Sequence, residues 1–439
     1  MLLKTQAIVV GGSASGRTKV PAMGVRAWQH VLLFVIAYAL LMSRKPDAFF
    51  HAQFWAEDGR VWFADAYNLG PWRPFLHTET GYFQTLPRLA ADLALFVPLL
   101  SAPLVMNLLA VAVHTLPVNL LISDRSAVWG SLRMRALLAA AYLAIPSSPE
   151  IAANITNEQW TLAFCAFLLL VGSAPASPAM RALDVCCMLL SGLTGPFCIF
   201  LLPIALLIAF RRSGASRWIP PCILAVCSAI QFIGLTVISP TARSHWGVLG
   251  ARFDLLVRIL GGNVFIGAII GSNNFAGVPG TRVFIILAIA AAAGCAIAAA
   301  SLIKAPLPMR LMALYAALLL AAALALPSSY APPGTGQWEM IAKAGAVRYW
   351  FLPTLTFIWL LLYGFTGRNQ VLKVTSAAIL FCLCIGIEIQ WKRPAFPDLN
   401  YPAEVRRIEA APPGTALWIP INPDGWHMRI IKRADTGSR

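Results

Sequence analysis

Arg282-Val283-Phe284-Ile285-Ile286-Leu287-Ala288-Ile289-Ala290-Ala291-Ala292-Ala293-Gly294-Cys295-Ala296-Ile297-Ala298-Ala299-Ala300-Ser301-Leu302-Ile303 carries one charge, at its first position. About 20 apolar residues suffice to span a bilayer core as a helix. The Ala and Gly positions over 285–301 let a neighbouring helix approach closely. Comparable runs recur outward in both directions: near 28–43, 103–122, 136–147, 159–173, 182–194, 196–210, 218–238, 310–328, 348–364 and 374–391. Hydrophobic residues make up 59% of the 439, charged residues 12%, and mean hydropathy is +0.71. Soluble domains carry roughly twice that share of charge. The runs lack the ~10-residue alternation of an outer-membrane barrel. The expected fold is therefore an all-α polytopic membrane protein with about eleven transmembrane helices.

Polar stretches punctuate these runs. Residues 1–27, Gly/Ser-rich with Lys4, Arg17, Lys19 and Arg26, read as a disordered cytoplasmic arm. The run 28–43 lacks a small-residue cleavage site and reads as a retained anchor. Arg125, Arg133, Arg135, Arg181, Arg211, Arg212, Arg217, Lys304, Arg310, Arg368 and Lys373 fall on the arm's side, facing only Asp124 and Asp184. The positive-inside rule puts that side in the cytoplasm. The transmembrane body is then 28–391. A long first outer loop (44–102) carries interfacial helices, with one expected over 85–98. A second long outer loop covers 239–281, and 392–439 forms a small outer tail or cap. Thr194-Gly195-Pro196 is a natural helix break. The net charge of +16 is dispersed between the apolar runs, which points to topology and anionic lipid contact, with no nucleic-acid partner. The nine cysteines lie in or beside apolar runs, without the spacing of a zinc site.

The residues that stand out chemically are Glu57-Asp58, within Phe54-Trp55-Ala56-Glu57-Asp58-Gly59. Adjacent carboxylates at the mouth of an apolar bundle repel one another and are costly to desolvate. One can act as a general base while the other orients an acceptor or a divalent cation, Mg or Mn. The plainer alternative is that Glu57, Asp58 and Asp65 favour a helix N-terminus. Arg348-Tyr349-x-x-x-Pro353 opens a late span. Its guanidinium suits a lipid phosphate, with Lys343 and Arg88 as further phosphate contacts, unless Arg348 only marks the interface. Asn157 and Trp160, in Asn154-Ile155-Thr156-Asn157-Glu158-Gln159-Trp160, and His77 and Tyr82 of the first loop suit sugar or acceptor contacts. Helix capping and interfacial anchoring account for the 154–160 stretch equally well. Gly11-Gly12-Ser13-Ala14-Ser15-Gly16-Arg17-Thr18 nearly matches a phosphate loop but has no strand before it.

The acidic pair in the first outer loop, the many spans and the Arg348-Tyr349-x-x-x-Pro353 element together resemble the GT-C superfamily of integral membrane glycosyltransferases. These include protein O-mannosyltransferases, aminoarabinose transferases and O-antigen glucosyltransferases. The resemblance implies a polyprenyl-phosphate-linked sugar donor and an inverting transfer to an extracytoplasmic glycan, lipid or protein acceptor. It also implies a bacterial inner membrane location, with the site on the periplasmic face. Several of these families have Asp before Glu, whereas here Glu57 precedes Asp58. Asp58 is the expected base and Glu57 the orienting group. No Trp-Trp-Asp signature is present. A transporter or flippase of lipid-linked sugars is the competing reading, although no internal repeat is evident. A membrane acyltransferase would need a His or Ser dyad, and His51, His77 and His245 lack a recognisable spacing for one.

Overall fold

Apolar runs without backbone partners elsewhere must satisfy their own N–H and C=O groups, and they do so as helices. The computed structural model describes residues 26–146, 150–242, 246–271, 275–343 and 347–434. Most of the expected arm, and the near-match at Gly11–Thr18, lie outside these residues. Among the described residues, eight helices are long and apolar enough to cross a membrane. They are Ala27–Arg44, Leu99–Ile122, Ala215–Ile238, Phe253–Ile270, Thr281–Lys304, Leu307–Ala325, Val347–Thr366 and Gln370–Gln390. Their outward faces are bare: Val31, Val35, Ile285, Ile289, Val371, Phe381 and Ile389 are all exposed. So extended an apolar surface is tolerated in lipid and not in water. The chain is an integral membrane protein built from helices.

The expected count of eleven is not reproduced by length and composition. Runs near 136–147, 159–173, 182–194 and 196–210 form the shorter helices Leu132–Ala144, Glu158–Val171, Pro178–Gly192 and Phe197–Arg211. Glu158–Val171 is buried along its whole length, so its neighbours, not lipid, cover it. Phe164 meets Trp359 at 5.6 Å and Phe167 stacks on Tyr315 at 5.6 Å. The residues 239–281, expected as a polar outer loop, contain the apolar helix Phe253–Ile270. It packs in turn on three others: Gly261 on Leu287, Phe265 on Gly294 and Phe357, and Gly271 on Gln390.

The expected tail or cap is folded over its described residues. Tyr401–Ala410 is a helix, and β1 (Ala416–Ile421) pairs antiparallel with β2 (Trp426–Ile431), with Ile421 opposite Trp426. Burial alternates along β1, so Leu417, Ile419 and Ile421 face inward beside Met428 and Ile430 of β2. They share one core with Phe54, Trp62 and Phe63 of the first loop. The tail thus seats on the segment carrying Glu57-Asp58. The backbone joins them directly: Ala56 N–H donates to the Asn422 carbonyl at 2.5 Å, and Asn422 N–H to the Phe54 carbonyl at 3.1 Å.

Candidate active site

Glu57 precedes a π-helical stretch, Asp58–Phe63, that runs into the helix Ala64–Leu69. Wide π turns inside helices occur often at functional sites. Ala56, just before the pair, has φ of +41°, a conformation that costs a residue with Cβ about 1–3 kcal/mol. Gly59 follows the pair because a Cβ there would lie 2.7 Å from the Phe54 Cβ. The chain is therefore bent sharply, and held so, where the two acids stand.

The two carboxylates have different surroundings. Asp58 is 1% exposed and accepts three hydrogen bonds. Ile155 N–H and Thr156 N–H donate at 3.0 Å each, and the Thr156 hydroxyl at 2.5 Å. Trp62 Nε1 donates to that hydroxyl oxygen at 2.8 Å. Burial pushes Asp58 up to about 7, against the lowering effect of these bonds. Asp58 is thus an anchor for the turn entering Glu158–Val171. Glu57 is only partly buried, and no other side chain among the described residues hydrogen-bonds to it. Desolvation raises its pKa, its own backbone N–H and Arg348 lower it, and Glu150 raises it again.

Arg348 is brought to the same loop, but its charge is already engaged. Its guanidinium is ion-paired with Glu150, its backbone N–H donates to Glu150 Oε2 at 3.0 Å, and Nη2 donates to the Ser328 carbonyl at 2.8 Å. The other two expected phosphate ligands are also paired. Lys343 meets Glu339 at 2.6 Å on the surface. Arg88, 2% exposed, binds Asp65 at 3.1 Å and the His77 carbonyl at 3.1 Å. Asn157 is buried on Asn154 Oδ1 and the Glu150 carbonyl, at 2.9 Å each, and holds the loop. The His77 side chain is exposed, and Tyr82 is buried with its backbone bridged to Glu79. Trp160 packs on Phe197 at 4.6 Å, yet its indole N–H is buried without a partner. Gln84 Oε1 is in the same position, while its Nε2 donates to Gln159 at 3.2 Å. Buried polar groups left without a partner are uncommon and call for an explanation.

A cationic group was not expected from the sequence. Arg44, Lys45 and Arg393 are 4%, 4% and 7% exposed, and Arg393 N–H donates to the Arg44 carbonyl. Among the described residues, no acid is ion-paired to Arg44 or Lys45. The Lys45 ammonium lies 3.4 Å from the Phe396 ring centre and 5.6 Å from that of Trp55, two residues from Glu57. Burial pulls Lys45 down to about 7, with Asp47 and Asp58 opposing it. In sequence Arg44 and Lys45 simply follow the first apolar run; burial without an acid partner among the described residues sets these two apart.

The donor set at the acidic pair does not fit a divalent cation. Three N–H and O–H donors face Asp58, leaving Glu57 to supply oxygens, and such ions take about six. Among the described residues no three His, Cys, Asp or Glu side chains are grouped to hold a metal ion. No family model, no curated protein and no solved structure matches the chain.

Proposed function

We propose that this protein is a membrane glycosyltransferase. On this reading it moves a sugar from a polyprenyl-phosphate donor to an acceptor hydroxyl by single displacement, with Glu57 as the base. The observation that carries the reading is the division of labour in the pair. Asp58 is locked by three donors, and Glu57 is left beside it as a partly buried carboxylate without a side-chain partner. This reverses the roles expected from the sequence, where Asp58 was the base. A raised carboxylate pKa makes a stronger proton acceptor near neutral pH. The leaving phosphate needs countercharge, and buried Lys45 beside Trp55 supports that role better than the paired Arg348, Lys343 or Arg88. Trp160 and Gln84 offer polar contacts to sugar hydroxyls.

The test is release of polyprenyl phosphate by purified protein in liposomes supplied with a panel of polyprenyl-phosphate sugars and membrane glycan or lipid acceptors. Release with transfer from at least one donor is expected. Movement of intact donor across the bilayer, with no release from any donor, would favour a transporter instead.

A further inference from the structure

A second polar feature lies at the far end of the bundle. The helix Glu158–Val171 starts at the Asp58-anchored turn and ends about 20 Å away at 1.5 Å per residue. There a cavity of about 110 Å³ opens between the end of this helix, the first half of Pro178–Gly192 and the segment 212–220 that follows Phe197–Arg211. Four arginines line it, Arg125, Arg181, Arg212 and Arg217, against one acid, Asp184. Arg125 takes that acid completely, through paired bonds of 2.7 and 2.6 Å.

Among the described residues, no carboxylate pairs with the other three arginines. Arg212 donates to the Gly172 carbonyl at 2.5 Å. Arg217 donates to the Arg212 carbonyl, and its Nε is buried without a partner. Arg181 is exposed at the first turn of Pro178–Gly192. Ser173, Ser213 and Ser216 add hydroxyls around the same space. The wall is otherwise apolar, with Leu169 and Met188; the exposed Leu183 stands on Pro178–Gly192, and the exposed Phe210 lies two residues before Arg212.

We propose that this cavity binds a phosphate group, with Arg181, Arg212 and Arg217 as its cationic ligands. Guanidinium forks match phosphate oxygens in pairs, and the spare donor of Arg217 gains an acceptor. Basic pockets between helix ends are suited to anionic headgroups, and the apolar flanks would receive acyl chains. An anionic phospholipid and a free phosphate share this chemistry. The site is independent of the glycosyl-transfer reading.

The test is thermal unfolding of the full chain in detergent, titrated with phosphatidylglycerol, phosphatidylcholine or inorganic phosphate. Phosphatidylglycerol is expected to raise the midpoint and phosphatidylcholine not to. Arg181→Gln and Arg217→Gln should each need about ten-fold or more phosphatidylglycerol for the same protection. Lys373→Gln removes an exposed charge outside the cavity and should need no more than wild type. Because Arg181 is exposed, its variant tests the site even if the Arg217 variant folds poorly. Protection by inorganic phosphate that is lost in Arg181→Gln would identify a free anion as the ligand. Equal protection by phosphatidylcholine, or undiminished protection in both arginine variants, would overturn the proposal.

Discussion

At Asp58, burial and hydrogen bonding pull in opposite directions, and burial wins. The folded side chain keeps its proton up to about pH 7, whereas an unfolded aspartate releases it near pH ~4. Between those values the folded state binds more protons, so stability falls as pH rises through that window. Asp58→Asn cannot titrate and should flatten this slope in unfolding midpoints measured from pH 4 to 7. Asp58→Ala should be the less stable variant, because it strands two buried backbone N–H groups, each worth about 1–3 kcal/mol. For Lys45 burial shifts the pKa down instead of up. Its folded pKa of about 7 means the ammonium is lost above that pH, so donor binding should weaken as pH rises past it. Lys45→Met should bind donor weakly at every pH and show no such limb in a binding titration. The acidic pair was legible in sequence as two adjacent carboxylates, but its division of roles was not, because the donors that hold Asp58 lie 97 and 98 residues away. The Arg348–Glu150 pair was not, because its partners are 198 residues apart.

At the scale of elements, long uninterrupted apolar runs declared themselves. Thr281–Lys304 and Gln370–Gln390 lie within a few residues of the runs read from sequence. Phe253–Ile270 did not, since Arg252, Asp254, Arg258, Gly261, Gly262 and Asn263 break its apolar character, and its helicity depends on close packing across neighbours. The hairpin β1–β2 was half legible. Asp424-Gly425 is a turn signal, and Gly425 has φ of +82°. Its partner surface on Phe54 and Trp62 could come only from tertiary structure. Because Asn422 bonds to the backbone on both sides of Trp55, the tail and the acidic pair must share one side of the membrane. Epitope tags inserted at Gly70 and at Gly414, where added residues meet open space, should become accessible from the same side of sealed vesicles. Accessibility from opposite sides would contradict this packing.

At the scale of the molecule, two polar centres stand at the two ends of one buried helix. One end carries Glu57, the anchored Asp58 and the unpaired Lys45; the other carries the arginine cavity. From Leu162 to Val171 the helix between them is apolar and buried throughout. The central claim is that Glu57 performs the proton transfer while Asp58 holds the turn. The most direct measurement is the rate of sugar transfer from the active lipid-linked donor by wild type, Glu57→Gln and Asp58→Asn, each with its unfolding midpoint. Glu57→Gln is expected to lose about 10²–10⁴-fold in rate at an unchanged midpoint, and Asp58→Asn to lose activity together with its native pH dependence of stability. Full transfer by Glu57→Gln would contradict it.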